Sequence, residues 1–251
     1  MTAPGCFVLG TDTDAGKTVV AAGLLRWLRD GGAVPAPVKP VQTGATRASD
    51  GWYAPDLDVL LAGARLAPDA SAYARMAPCC YAPACSPHLA AREAGRPVDH
   101  AAIHDAVGRA RAEHEAVVVE GAGGALVPLD DAGTTMADLA AALGIPALVV
   151  GRAGLGTLNH TLLTLEALRA RGVTVAAVVL TATQPVPDAG TARLHADNAA
   201  TIARLGAVTV AGPLPHRTQP APDAVAADLA AAPGLAAALA AHAALPLGAS
   251  P

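Results

Sequence analysis

The 251-residue sequence predicts an α/β fold, a single doubly wound and mostly parallel sheet with helices on both faces. Three observations carry that expectation. Short runs rich in Val, Leu and Ala recur along the chain, they alternate with helix-spaced segments that stop at Gly or Pro, and polar residues gather where the runs end. Runs apolar at every position suit strands buried on both faces, as parallel sheets require. Alternation of strand and helix then implies crossover connections within one layered domain.

The predicted strands cover residues 6–10, 34–41, 116–122, 147–151, 173–181 and 207–215. Helical spacing runs over 19–29, 136–143 and 158–171, each closed by glycine or a Gly-x-Pro stop. The stretch from 46 to 100 is richer in Pro, Cys and Asp and is expected to form shorter helices and loops that wall a site. Near the C-terminus the alanine-rich sequence predicts one helix over 225–245, giving a single domain over 1–245 and a frayed tail over 246–251.

Composition narrows the function classes. Hydrophobic residues make up 53% of the chain and aromatic ones only 2%, so a sizeable core must be built from Leu, Val, Ile and Ala through close backbone approach. The formal net charge of −4 is spread along the chain, which argues against a general nucleic-acid or acidic-membrane surface. The N-terminus lacks a basic start followed by a long apolar core, and no run reaches 18 apolar residues; a soluble, cytoplasmic protein is expected. Cys79, Cys80 and Cys85 cluster without a second pair to close a metal tetrahedron, so they and Cys6 are expected to be small buried or half-buried thiols.

GTDTDAGKT, residues 10–18, follows the first predicted strand and enters a helix. Gly16-Lys17-Thr18 supplies the second half of a phosphate-binding loop: backbone N–H groups and a helix N-terminus for the phosphates, a lysine for the β/γ-phosphates, a hydroxyl for magnesium. The strict pattern wants glycine at 11, where the chain has Thr11 with Gly10 one place early. Lys39, in VKPVQTG, aims a second cation at the same edge, and two lysines converging on phosphates suggest phosphoryl transfer. Glu120 ends a Val-rich strand before Gly121-Ala122-Gly123-Gly124 and is the expected carboxylate for magnesium, with one of Asp56 and Asp58 as another. Gly156-Thr157-Leu158-Asn159 opens a helix whose N-terminus suits an anion, or is only a turn and cap. Asp12, Asp14, Lys39, Glu120, Thr181 and His216 all fall at or just past the C-terminal ends of predicted strands, the edge where open parallel sheets bind ligands.

Together GTDTDAGKT, VKPVQTG, SPHLAA, VVVEGAGGALVPL and VVGRAGLGTLNHTLLTLEAL resemble the dethiobiotin synthetases, ATP-dependent ligases that act before the last step of biotin synthesis. The resemblance spans about residues 6–217 and implies a P-loop NTPase fold working as a homodimer, with the substrate site at the interface. It implies that CO2 (or bicarbonate) and 7,8-diaminononanoate are joined with ATP as co-substrate and Mg2+ as cofactor. By resemblance Lys39 and Lys17 are catalytic, Thr18, Asp56 and Glu120 hold magnesium, and Thr13 and Thr43 meet the diamine or its carbamate. Gly156, Thr157, Leu158 and Asn159 receive the substrate's carboxylate across the dimer interface. The nucleotide is expected against Asp14, Ala15, Gly16, Lys17, Thr18 and Val19, with Asp56, Glu120, Gly121, Ala122, Gly123, Thr181, Pro215, His216 and Arg217. Thr181 stands where some relatives read adenine with an asparagine, which predicts a looser nucleotide preference. Cobyrinate-type amide ligases share the loop but normally carry a glutaminase domain, and partitioning ATPases place a second lysine where this chain has Thr-Asp-Thr-Asp.

Overall fold

The computed structural model describes residues 2–49 and 51–247. β1 (Gly5–Gly10) leads through the phosphate-loop motif into α1 (Lys17–Asp30), and β2 (Pro35–Val38) follows. Next come short elements: β3 (Val41–Thr43), β4 (Thr46–Ala48), β5 (Gly51–Tyr53), α2 (Pro55–Ala64), α3 (Ala70–Met76), β6 (Cys79–Tyr81) and α4 (Pro87–Glu93). Helix and strand then alternate as α5 (His100–Glu113), β7 (Ala116–Gly124), α6 (Met136–Leu143), β8 (Ala147–Arg152), α7 (Thr157–Arg169), β9 (Val175–Thr181), α8 (Ala189–Gly206) and β10 (Val210–Leu214). The last described elements are α9 (Pro222–Ala231) and α10 (Leu235–Ala243).

Six strands form one sheet in the order β10-β9-β8-β1-β7-β2, and every pairing in it is parallel. This is the doubly wound α/β architecture the sequence predicts. Side chains alternate across β1: Phe7 and Leu9 join the core cluster on one face, Cys6 and Val8 that on the other. The strand order matters for function. Val8 pairs in register with Glu120 and Val38 with Val119, so the loop after β1, Glu120 on β7 and Lys39 after β2 emerge side by side.

With few aromatic side chains, the layers close by bringing backbones together. A Cβ on Gly63 of α2 would lie 2.3 Å from the Ala22 carbonyl oxygen of α1, and one on Gly23 would lie 2.4 Å from a methyl of Val225 on α9. Glycine at these crossings lets α1 seat against both helices. The adjacent Cys79 and Cys80 are explained by strand alternation: Cys79 faces the main core and Cys80 a small cluster with Leu57 and Leu61 of α2.

Two expectations are corrected. The strand predicted over 34–41 is broken at Lys39-Pro40, where the Lys39 N–H turns to the Met76 carbonyl at 2.8 Å; β3 pairs instead with β6 in a separate small sheet. The single helix predicted over 225–245 is two helices, α9 and α10, bent by 92°. Pro233 excludes the preceding helical turn and Gly234 takes φ 75°, a signal masked by the surrounding alanines. No single helix among the described residues is long and apolar enough to cross a membrane, and α9 and α10 bury Val225, Leu229, Leu235 and Leu239 against the sheet layer. Of the tail expected over 246–251, Leu247 packs on that same cluster and residues 248–251 lie outside the described residues.

Candidate active site

The loop between β1 and α1 is shaped by what its backbone must approach. A Cβ on Gly10 would sit 2.7 Å from the Asp12 carbonyl oxygen, 2.9 Å from Lys17 Nζ and 3.0 Å from the Gly123 carbonyl oxygen. Glycine is therefore needed at 10, while Thr11 points its methyl at Gly151 of β8 and donates its N–H to the Val150 carbonyl at 2.9 Å. Asp14 (φ 57°) and Gly16 (φ 94°) are left-handed, and Lys17 begins α1, whose N-terminus faces the cleft. The variant spacing of the motif is a loop anchored to β8 through residue 11.

Lys39 lies at the centre of the cleft floor and is 2% exposed. Its Nζ is 2.7 Å from Glu120 Oε1, 2.8 Å from Asp56 Oδ2 and 3.2 Å from the Gly121 carbonyl. Thr18 Oγ1 donates to the same Glu120 Oε1 at 2.8 Å. Burial pushes the Lys39 ammonium down, but the Glu120 and Asp56 carboxylates outweigh it and hold its pKa above the ordinary lysine value. Asp56 is raised by burial and lowered more by Lys39 and Gln42, so its pKa lies below the usual carboxylate value. Burial and the neighbouring Lys39 depress the pKa of Lys17, partly offset by the nearby carboxylates. The cleft thus gathers Lys39 in contact with Glu120 and Asp56, and Lys17 beside them on the Asp12 carbonyl, and is lined also by Thr13, Asp14, Gly16, Val19, Thr43, Ala122 and Gly123.

A second cleft adjoins the first over Asp14, Gly16 and Val19 and runs between Thr181, Pro215, His216 and Arg217. Arg217 pairs with Asp228 of α9 at 2.8 Å on its rim. The two together suit a polyphosphate with a base at one end and a second substrate at the other.

An AAA-domain family matches residues 5–223. The ATP-dependent dethiobiotin synthetase BioD of Anaeromyxobacter dehalogenans (strain 2CP-C) is 47% identical over 201 residues, covering 80% of this chain and 85% of that protein. The chain belongs to the dethiobiotin synthetase family. Synthetases of that name from Pseudomonas aeruginosa (strain PAO1) and Pseudomonas paraeruginosa are 42% and 41% identical over the same share of this chain and 84% of their own.

Most residues expected from the resemblance to this synthetase family converge. Thr13, Asp14, Gly16, Lys17, Thr18, Val19, Lys39, Thr43, Asp56, Glu120, Ala122 and Gly123 line the first cleft, and Thr181, Pro215, His216 and Arg217 the second. Between the two candidate carboxylates on α2 the structure separates roles: Asp56 meets Lys39, whereas Asp58 accepts from Tyr73 Oη at 2.9 Å. Ala15 and Gly121 line neither cleft; the Ala15 carbonyl accepts from Thr181 Oγ1 at 2.8 Å, and Gly121 packs on Phe7, Leu9 and Met136. Gly156, Thr157, Leu158 and Asn159 do not reach the cleft of their own chain. Thr157 is buried against Thr161, Leu158 packs on the core, Gly156 and Asn159 face outward, and Leu155 beside them is 95% exposed.

Gln42 escaped the sequence reading although it lies inside VKPVQTG. Its amide accepts from the Asp56 N–H and donates to Asp56 Oδ2, both at 3.3 Å, fixing the first turn of α2. A polar residue directly after the apolar run over 34–41 was the available signal. Arg152, which pairs with Asp12, and Asn198, which donates to the Ala153 carbonyl at 3.0 Å, carried no such signal, because their partners lie 140 and 45 residues away.

Proposed function

We propose that this protein is the ATP-dependent synthase that converts 7,8-diaminononanoate and CO2 (or bicarbonate) to dethiobiotin, acting in the cytoplasm as a homodimer. The observation that carries the reading is Lys39, buried at the meeting point of Glu120, Asp56 and Thr18 and sharing one cleft with Thr13, Thr43 and Lys17. Carbamate and triphosphate are both anionic, and fixed cations lower the cost of bringing them together. An amine takes up CO2 as a carbamate, and a carbamate oxygen then attacks the γ-phosphorus and releases ADP. The second amine attacks the carbamic-phosphoric anhydride carbon, phosphate leaves, and the ureido ring closes. Lys17, at the loop, suits the phosphates; Lys39 suits the transferring group; Thr13 and Thr43 suit the diamine or its carbamate.

The residues fit magnesium. Among the described residues Glu120 Oε2 is buried without a hydrogen-bond partner, and Thr18 and Asp56 cluster on the same Glu120–Lys39 contact. Thr18, Asp56 and Glu120 would hold the ion, which when bound neutralises phosphate charge. Leu155, 95% exposed directly before Gly156, supports a dimer in which Gly156–Asn159 of the partner closes the site over the diamine's carboxylate.

Phosphate release that requires both the diamine and bicarbonate is the expected result of a steady-state assay; release driven instead by DNA or a partner protein sinks the reading. The same assay measures base preference. Thr181 spends its hydroxyl hydrogen on the Ala15 carbonyl, leaving only an acceptor toward a base. CTP and GTP are expected to support turnover within about tenfold of ATP, less than the discrimination of a site built to hydrogen-bond one base; a strict ATP preference refutes this.

A further inference from the structure

Asp12 and Arg152 touch no proposed ligand, yet they tie the loop to the sheet. Asp12 Oδ1 accepts the Thr13 N–H at 2.8 Å, Asp12 Oδ2 pairs with the Arg152 guanidinium, and the Asp12 carbonyl accepts from Lys17 Nζ at 2.9 Å. Arg152 is the last residue of β8 and stands in register with Thr181 of β9, so its backbone is fixed from the centre of the sheet. The next loop residue but one, Asp14, holds φ 57°, a left-handed turn conformation that aspartate tolerates better than most L-residues.

The loop has a second, separate anchor. Thr181 Oγ1 holds the Ala15 carbonyl at 2.8 Å, and the Val20 N–H closes the first turn of α1 on the Gly16 carbonyl at 3.0 Å. Residues 12–13 are therefore held from Arg152 and residues 15–18 from Thr181 and α1, with the Lys17 Nζ contact to the Asp12 carbonyl joining the two halves. We propose that the Asp12–Arg152 pair is a positioning clasp for the diamine half of the loop, setting Thr13, while Thr181 and α1 hold the phosphate half through bonds of their own. The clasp rests on the reading that Thr13 meets the diamine. Both charges are nearly half exposed, so the pair adds little to global stability, and its effect is local geometry.

Kinetics of Arg152→Gln and Asp12→Asn test this, with melting temperature measured beside each. The expected result is a KM for the diamine raised about tenfold, the scale of one charge-assisted hydrogen bond, with the KM for ATP within about twofold and the melting temperature nearly unchanged. The double variant should be no worse than either single one, and Arg152→Lys should recover most of the loss. An unchanged diamine KM in Arg152→Gln, or an equal rise in the ATP KM, overturns the clasp. Thr13→Val separates the two failures: if it raises the diamine KM and Arg152→Gln does not, the clasp alone is wrong. If Thr13→Val leaves the diamine KM unchanged, the assignment of Thr13 falls and the clasp falls with it.

Discussion

Lys39→Met will reduce turnover by about three orders of magnitude while leaving nucleotide binding measurable, the scale seen when one preorganised donor to a developing charge is removed. The separation follows from position. On the proposed reading the loop N–H groups, Lys17 and the α1 N-terminus remain to hold the triphosphate, whereas Lys39, fixed between Glu120 and Asp56, serves the transferring group. Methionine keeps the stem and removes the charge; Lys39→Ala is expected to lose activity similarly and to be less stable. In both, Glu120, which is 0% exposed, loses its cation, and an unpaired buried charge costs about 3–5 kcal/mol. For a chain of this size that lowers the melting temperature by about 6–20 °C. Calorimetric ATP titration beside turnover checks the result; unchanged turnover removes Lys39 from the chemistry.

The same pairing sets a pH window. Lys39 has a raised pKa, so its stabilising contribution is present below the ordinary lysine value and is lost as pH rises through the raised one. Asp56 has a lowered pKa, so its contribution is present above the ordinary aspartate value and is lost as pH falls through the lowered one. Together they support the site from about pH 4 to about pH 10. Lys17 has a lowered pKa and opposes stability below the ordinary lysine value.

The strands were legible because buried parallel strands are written as unbroken apolar runs, and the cleft was legible because Lys39, Glu120 and the loop each end such a run. Local rules failed where a partner is distant in sequence. Nothing near Asp12 names Arg152, and nothing near Asp56 states that Gln42 caps it. They also failed where a strong local signal drowned a weak one: the alanines around Pro233-Gly234 read as one helix, although proline and a left-handed glycine bend the chain there. The Gly10 position, odd as a motif, became intelligible only with the carbonyls of Asp12 and Gly123 around it.

Glu120→Gln should match Lys39→Met in lost turnover but cost less stability, and the asymmetry is diagnostic. Removing the Lys39 charge leaves two neighbouring carboxylates without their shared cation, whereas neutralising Glu120 leaves Lys39 still 2.8 Å from Asp56. The double variant Lys39→Met with Glu120→Gln removes both charges, and because replacing a buried pair by neutral groups is often close to neutral, it should be more stable than Lys39→Met alone yet remain inactive. Stability and catalysis are then separable in one cluster. A third measurement addresses magnesium directly. If Glu120 Oε2, buried without a partner among the described residues, is a magnesium ligand, then adding Mg2+ with ATP should raise the melting temperature of the parent protein and raise that of Glu120→Gln far less, since ligand binding to the native state alone is what lifts it. An equal Mg2+ increment in both proteins would exclude Glu120 as a ligand while leaving its pairing with Lys39 intact.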